Sequence, residues 1–286
     1  MTPPSPNTPR ASTHRKGATE ESRVVILDGA LGTELEARGV PTTGWIWSAN
    51  ATLTHPEVVA AIHRDYRLAG ADVATANTFR SRAEDFERAG LSVERARFAT
   101  RRAVELARDG AGSSVVAGSI APLGDCYRPR QRPSEAACRR AHERMVDWLA
   151  EDGCDLLLLE TMNNLTELRI ALEAAGRANL PVWCSLICDQ RGELLSGESR
   201  TEALSMAAAL GADEIGFNCM SPALLEAVLR GPNPVSPTLA YPNLGVVQDN
   251  QWSRPDHREP VDIAWATGCL ERGVHVIGGC CGSNPQ

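Results

Sequence analysis

The stretch Val274-His-Val-Ile-Gly-Gly-Cys-Cys-Gly282 is a short β-branched run that ends in glycines and two adjacent cysteines. A second stretch, Asp213-Glu-Ile-Gly-Phe-Asn-Cys219, has the same form and also ends in a cysteine. Both apolar runs are typical of buried strands, so three thiols are expected at strand ends. Neighbouring residues on a strand point to opposite faces, so Cys280 and Cys281 face one partner only if the strand has ended. The flanking glycines permit such a bend.

Short apolar runs alternate with longer amphipathic stretches from residue 24 onward, which is the pattern of βα units around a parallel sheet. Eight such runs predict a closed (β/α)₈ barrel, a TIM barrel, with its active site at the carboxyl ends of the strands. An open doubly wound sheet is the alternative, but it would not gather residues from the first, fourth, sixth and eighth strands. The predicted strands are 24–28, 72–76, 114–119, 155–160, 182–188, 214–218, 238–241 and 274–277, and the predicted helices include 56–69, 93–108, 134–151, 165–178, 201–210 and 222–229.

Residues 23–286 are predicted to form one barrel domain, preceded by a polar tail at 1–22 that we expect to be disordered. The sequence stops at Gln286, so the helix expected after the eighth strand is absent from it. Two explanations stay open at this point. The sequence is a truncation, or another element such as a partner subunit closes the barrel.

Composition narrows the class of protein. The chain of 286 residues carries 29 basic and 36 acidic residues, and the basic ones are scattered, so nucleic acid is not an expected partner. The sequence has no apolar run of 18 residues and no secretory signal, so no contact with a membrane is expected. Nine cysteines fit a reducing compartment, which predicts a cytoplasmic protein. Lys16 is the only lysine, which argues against Schiff-base chemistry.

Three thiols at separate strand ends favour a metal site, because thiolates are ligands for soft metal ions. Zinc prefers sulfur and nitrogen ligands, and a site with three protein ligands leaves a fourth position open. Three thiolates give the site a formal charge of about −1, which suits an incoming sulfur better than a carbonyl. The alternative interpretation is that the cysteines are small apolar residues of the core.

Seven stretches make the chain resemble the homocysteine S-methyltransferase family. The resemblance implies a zinc-dependent (β/α)₈ barrel, a methyltransferase that moves a methyl group onto the thiol of L-homocysteine and so makes methionine. The stretches are Leu27-Asp-Gly-Ala-Leu-Gly-Thr33, Ala76-Asn-Thr-Phe79, Gly118-Ser-Ile-Ala-Pro-Leu-Gly124, Leu158-Leu-Glu-Thr161, Gly216-Phe-Asn-Cys219, Tyr241-Pro-Asn243 and Gly278-Gly-Cys-Cys-Gly282.

The resemblance also implies roles for particular residues. The zinc ligands would be Cys219, Cys280 and Cys281. No further catalytic residue is expected, because zinc lowers the thiol pKa and a sulfonium donor leaves as a neutral thioether.

The substrate-binding residues implied by the resemblance lie at other strand ends. Glu160 would hold the substrate ammonium, and Asp28 with Gly29 would line the amino-acid end of homocysteine. A charged group that ends the apolar run 156–159 is otherwise hard to explain, whereas Asp28 has an alternative role as a turn or cap residue. Asn218 and Asn243 are further candidates, and in some relatives an asparagine at the Asn243 motif occupies the fourth zinc position until the thiol displaces it.

The methyl donor follows from elimination among the relatives. Those that use methyl-cobalamin carry extra modules, and those that use betaine are longer, so S-methylmethionine or S-adenosylmethionine is the expected donor. Betaine, or a cobalamin-bound methyl group from a partner protein, is the alternative, and a homo-oligomer stays open. Two other classes also stay open: an inactive barrel with a structural or redox zinc site, and an enzyme that uses Asp28 and Glu160 to bind a hard divalent ion.

Overall fold

The computed structural model of the chain describes residues 23–248, 251–253 and 263–286. Eight parallel strands form one sheet, which confirms the predicted barrel. The predicted tail at 1–22 lies outside the described residues. The strands of this sheet are β1 (Val25–Ile26), β2 (Val73–Ala76), β3 (Val115–Ile120), β4 (Leu156–Met162), β5 (Val182–Leu186), β6 (Glu214–Asn218), β7 (Leu239–Tyr241) and β10 (Val276–Ile277). They lie in the order β1-β10-β7-β6-β5-β4-β3-β2. After β7, the strands β8 (Val246–Gln248) and β9 (Gln251–Ser253) form a separate antiparallel hairpin.

The barrel closes between β1 and β2. Leu27 forms a parallel bridge with Val73, the backbone N–H of Asp72 donates to Ile26 at 2.8 Å, and that of Asp28 donates to Val73 at 2.9 Å. These bonds join the two ends of the sheet, so the open doubly wound alternative is wrong. The strand ends that carry the candidate site residues therefore meet around one mouth.

Helices connect the strands on the outside, and each predicted helix is present to within a few residues. Sequence patterns gave no bounds for the short helices after β1 and β2 or for the helix before β10. The helices are α1 (Gly32–Ala37), α2 (Ala49–Thr54), α3 (Pro56–Leu68), α4 (Ala83–Arg88), α5 (Val93–Ala111), α6 (Glu135–Glu151), α7 (Leu165–Ala175), α8 (Arg200–Ala209), α9 (Pro222–Arg230) and α10 (Ile263–Leu270), with one 3₁₀ turn at Pro129–Gln131.

The side-chain period of two on each strand decides what faces the barrel interior. On β4, Leu156 and Leu158 pack in the cluster that fills the interior, whereas Leu157 and Leu159 pack against the helices. The same alternation turns Glu160 inward, one layer above Leu158. A carboxyl group therefore lies on top of an apolar interior.

The neighbouring strands place polar groups at the same level. Alternation turns one polar side chain of each strand from β2 to β7 inward near its carboxyl end, and we call this set the polar layer. It consists of Thr75, Ser119, Glu160, Ser185, Asn218 and Tyr241.

No helix follows β10 in residues 278–286, in agreement with the expectation from sequence. The outer side of β1 and β10 borders a groove of about 480 Å³, lined by side chains of α10 and by the last residues of the chain. In the described part of the chain, no helix has the length and apolarity needed to cross a bilayer.

Gly216 lies on β6, the strand that leads to Cys219. Its substitution tests how closely β6 packs against β7. A Cβ atom at Gly216 would lie 1.7 Å from the carbonyl oxygen of Leu239, so Gly216→Ala must push β6 away from β7. We expect the free energy of unfolding in urea to fall by about 3 kcal/mol. Gly176→Ala is the matched control, because its φ is −61° and its nearest neighbour lies 3.4 Å away. Equal stability of the two variants would contradict this account of β6.

Candidate metal centre and substrate pockets

Cys219, Cys280 and Cys281 come together at the mouth of the barrel. Their sulfur atoms all lie within 4.8 Å of one another, and among the described residues they form the one group of this kind. Tetrahedral zinc with Zn–S bonds of 2.3 Å would place its sulfur ligands ~3.8 Å apart. The spacing and the all-thiol donor set therefore fit a soft metal ion such as zinc.

Backbone hydrogen bonds hold the three cysteines in place. The N–H of Cys219 donates to the carbonyl of Tyr241 at 3.1 Å, and that of Cys280 donates to Pro242 at 2.8 Å. The carbonyl of Cys281 accepts from Leu244 at 2.8 Å. The segment after β7 thus lies between the two cysteine segments and bonds to both.

The glycines around the cysteine pair act mainly by allowing close approach. A Cβ atom at Gly278 would lie 2.8 Å from the Cβ of Leu27, and one at Gly279 would lie 2.3 Å from Ser283 Oγ. Of the three glycines, Gly282 alone has a positive φ, at 86°. The β10 loop can therefore pack directly on the β1 loop.

The thiols hydrogen-bond to one another, which splits their acidities. These bonds lower the pKa of Cys281 well below its ordinary value, and they raise that of Cys280, as burial also does. A metal ligand must be a thiolate, so a cluster that already favours one thiolate is prepared for a metal.

Strained backbone is concentrated at this mouth. Trp47, Thr161 and Cys219 are the described non-glycine residues with positive φ, at 39°, 59° and 57°. All three line a single cleft. Such conformations cost energy and persist where the surroundings enforce them, commonly at functional sites.

Asp28 is buried beside the cysteine segments and is not a helix cap. Its Oδ2 accepts from the backbone N–H of Thr75 at 2.7 Å, and its Oδ1 accepts from the Thr75 hydroxyl at 2.7 Å. Burial raises the pKa of Asp28 to about 7, although both bonds from Thr75 lower it.

Glu160 is the second buried carboxyl group of the mouth. It accepts hydrogen bonds from Ser119 and, at 3.5 Å, from the Tyr241 hydroxyl. Burial raises the pKa of Glu160 to about 7, against the effect of the bond from Ser119, and the nearby Cys219 raises it further. Both carboxyl groups therefore favour a cationic partner that would restore their charge.

A small pocket of about 80 Å³ lies between the two carboxyl groups and the cysteine pair, and we call it the inner pocket. Both carboxyl groups and two of the three thiols line the same small volume. Its lining consists of Leu27, Asp28, Gly29, Ala30, Gly32, Trp47, Thr75, Glu160, Tyr241, Gly279, Cys280 and Cys281.

A larger cleft of about 790 Å³ opens from the cysteines toward solvent. It shares Trp47, Glu160, Cys280 and Cys281 with the inner pocket, so the two spaces adjoin at the cysteines. The cleft is rich in aromatic residues and also contains charged groups. Its lining consists of Thr33, Glu36, Thr42, Thr43, Gly44, Trp45, Trp47, Phe79, Arg80, Gly124, Asp125, Cys126, Tyr127, Glu160, Thr161, Cys219, Cys280 and Cys281.

The two asparagines from the sequence analysis take different positions. Asn243 is buried with its Nδ2 3.9 Å from Cys219 Sγ, next to the three cysteines. Asn218 lies deeper, where its side chain bonds to the backbone and hydroxyl of Thr161 at 2.9 Å and to Ser185 at 3.0 Å. Asn218 lines neither the cleft nor the inner pocket.

Sequence reasoning missed several residues of the site. Tyr127 places its hydroxyl 3.3 Å from Cys219 Sγ, yet it lies in an irregular segment without periodicity. Thr75 and Tyr241 bond to the carboxyl groups. Their inward position follows from the strand period, which is the signal that could have found them.

Two methyltransferases are similar to this chain over most of its length. Homocysteine S-methyltransferase of Escherichia coli (strain K12) is 30% identical over 292 residues, which cover 93% of this chain and 93% of that protein. Selenocysteine Se-methyltransferase of Brassica oleracea var. italica is 28% identical, over 93% of this chain and 87% of that protein.

A solved structure is also similar to this chain over most of its length. The metallated form of the homocysteine methyltransferase MmuM from Escherichia coli superposes with a TM-score of 0.79 and 28% identity, over 93% of this chain and 94% of that one. The sequence model for homocysteine S-methyltransferase matches residues 25–286, a range that includes both carboxyl groups and all three cysteines. The resemblance seen in the sequence is thereby confirmed, and the chain belongs to the homocysteine S-methyltransferase family.

Proposed function

We propose that this chain transfers a methyl group from a small sulfonium compound to the thiol of homocysteine, giving methionine, at a zinc ion held by Cys219, Cys280 and Cys281. One observation carries the proposal. A pocket with two carboxyl groups and a cleft with aromatic walls adjoin at the cysteines. Two substrates can therefore meet there, one from each space.

The inner pocket suits the amino-acid end of homocysteine. Glu160 and Asp28 are raised in pKa by burial, and an ammonium placed between them would favour their ionised forms. Charge-assisted hydrogen bonds of this kind are strong. Gly29 belongs to the same wall, where a Cβ atom would lie 2.6 Å from the Tyr66 hydroxyl, so any side chain at this position would collide with Tyr66.

The thiol of that substrate would point at the metal centre. When bound, zinc lowers the pKa of a thiol ligand so that it is a thiolate at neutral pH. The chain's own residues orient the reactants: Glu160 and Asp28 fix the acceptor, and the walls of the cleft align the donor. In-line placement of the two reactants supplies much of the rate in such transfers.

The cleft suits a cationic donor. Aromatic faces attract cations, and Trp47 lines both spaces, which places it where the methyl group would cross. Arg80 and Arg88 lie 5.3 Å from the ring centres of Phe79 and Trp45, so those two rings already have cations. S-Methylmethionine and S-adenosylmethionine are the donors that we propose, because both are sulfonium compounds and both fit a cleft of about 790 Å³.

Asn218 and Asn243 are proposed to act differently. The two polar ends of the Asn218 amide bond to Thr161 and Ser185, so we assign it to holding the backbone after Glu160 rather than to substrate contact. Asn243 adjoins Cys219 and is proposed to contact the metal centre before the thiol arrives. We also propose a cytoplasmic location, which nine unpaired thiols favour.

The donor is tested by methionine formation in the zinc-loaded protein with homocysteine. We expect turnover with S-methylmethionine or S-adenosylmethionine and none with betaine, because the acceptor thiolate attacks a sulfonium methyl group. Chelator-treated protein is the control and should be inactive. Turnover with betaine alone would refute the sulfonium donor, and zinc-loaded protein inactive with every donor would favour the inactive barrel.

Cys219→Ser tests the metal centre. Loss of one of three thiolate ligands should abolish zinc retention and methyl transfer together, measured by elemental analysis and by activity. The fold should persist, because the barrel core does not depend on its mouth. Cys138→Ser is the matched control: Cys138 is also buried, but its sulfur contacts the carbonyl of Pro133 and is not part of the cysteine cluster, so zinc content should be unchanged. Full zinc content in Cys219→Ser would remove Cys219 from the ligand set.

Glu160→Gln should weaken homocysteine binding and stabilise the protein. Loss of one charge-assisted bond to the ammonium should lower the affinity, measured by calorimetry, roughly 10- to 100-fold. The wild-type carboxyl has a pKa raised by burial from 4.5 to about 7, so the folded protein binds its proton more tightly than the unfolded chain does. The wild-type free energy of unfolding therefore falls as pH rises from about 4.5 to about 7, and the variant lacks this loss.

The stability difference is measured on metal-free, reduced protein by urea unfolding at several pH values. At pH 5 the two proteins should be similar, and by pH 8 the variant should be the more stable by up to about 3 kcal/mol. A constant difference across this range would show that Glu160 does not carry the shifted pKa. Unchanged homocysteine affinity would place Glu160 outside the substrate site.

A further inference from the structure

His63 on α3 is a fully buried side chain that the proposed reaction does not yet use. Its exposed fraction is 0%, and neither ring nitrogen has a hydrogen-bond partner among the described residues. Burial lowers the pKa of His63 to about 4, so the ring is neutral and carries a single N–H. Buried polar groups without partners are rare and costly, so this ring needs an explanation.

The acidic group beside His63 is Asp28. The distance from His63 Nδ1 to Asp28 Oδ2 is 3.9 Å, which is too long for a hydrogen bond. Asp28 already accepts two bonds from Thr75, and an ionised carboxylate has room for further donors. A relative shift of roughly 1 Å would bring Nδ1 within bonding distance.

The helix that carries His63 is held firmly against both neighbours. On one side, a Cβ atom at Gly110 of α5 would lie 2.7 Å from His63 Cβ, so the two helices touch closely. On the other side, Tyr66, one turn later on α3, donates toward the carbonyls of Ala30 at 3.1 Å and Ser283 at 3.3 Å. Because α3 is held in place, the side chains of His63 and Asp28 themselves must move to shorten the distance between Nδ1 and Oδ2.

We propose that His63 is a positioning residue for Asp28, whose carboxylate it bonds through Nδ1–H when the substrate ammonium occupies the inner pocket. The inference rests on the proposed function, because it needs a cationic group in that pocket. The ammonium favours the ionised form of Asp28, and the ionised carboxylate gains the third donor. The bond from His63 then fixes the carboxylate toward the substrate.

A second buried histidine can be compared with His63. His142 on α6 is also fully buried, but its Nε2 lies 3.0 Å from Glu167 Oε1, so it has its acidic partner in the structure as it stands. His63 lies 3.9 Å from its acidic partner Asp28, which itself lines the inner pocket. The difference points to a bond that forms in another state of the site.

The test compares two thiols on the zinc-loaded protein by calorimetry: homocysteine, and 4-mercaptobutyrate, which lacks the amino group. His63→Leu removes the donor and should weaken homocysteine binding roughly 10-fold while changing 4-mercaptobutyrate binding less than 2-fold. His63→Asn keeps an N–H near the position of Nδ1 and should recover most of the homocysteine affinity. His142→Leu is the matched control for loss of a buried histidine, and it should leave the ratio of the two affinities unchanged.

Two results would overturn the role of His63 without affecting the proposed function. These are a His63→Leu variant that binds homocysteine as well as the wild type does, and one that loses both thiols equally, as general damage to the fold would cause. Wild-type protein that does not prefer homocysteine to 4-mercaptobutyrate would overturn the ammonium pocket of the proposed function, and the role of His63 with it. The wild-type ratio thus separates the two failures.

Discussion

Two carboxyl groups buried above an apolar barrel interior are the constraint on which the rest of the site depends. In the described part of the chain, Glu160 and Asp28 receive hydrogen bonds from Ser119, Tyr241 and Thr75, and none from an arginine. Hydroxyl and amide donors only partly offset the cost of burying a charge. Both pKa values therefore stay high, at about 7, and a cationic partner beside the two carboxyl groups would lower them.

The same constraint explains the polar layer. The Tyr241 hydroxyl lies 2.5 Å from Ser185 Oγ, which lies 3.0 Å from Asn218 Oδ1, so Tyr241 is itself held by a neighbouring strand. Networks in which each member has its partner are rigid, because any movement leaves a buried polar group unsatisfied. A rigid layer under the three cysteines suits a transfer that depends on alignment of sulfur, methyl carbon and leaving group.

Strand periodicity made much of the fold and site predictable. Each of the eight predicted strands and the gathering of Cys219, Cys280 and Cys281 follow from apolar runs that end in chemistry-bearing residues. The cleft was not predictable in the same way. Tyr127 and Trp47 lie outside the strands, in segments whose path is set by tertiary contacts such as the bond from Asn163 to the carbonyl of Cys126. Such contacts leave no periodic signal in the sequence.

Backbone strain ties these loops to the core. Each non-glycine residue with positive φ costs of order 1 kcal/mol or more, and at the mouth three such residues must be held against relaxation. Asn218 supports two of them, since its amide bonds to Thr161 and its own backbone leads directly into Cys219. Because Asn218 belongs to β6, the pairing of the barrel strands fixes both positions. The strand pairing of the barrel thus stabilises the strained backbone of Cys219 and of Thr161, the residue that follows Glu160.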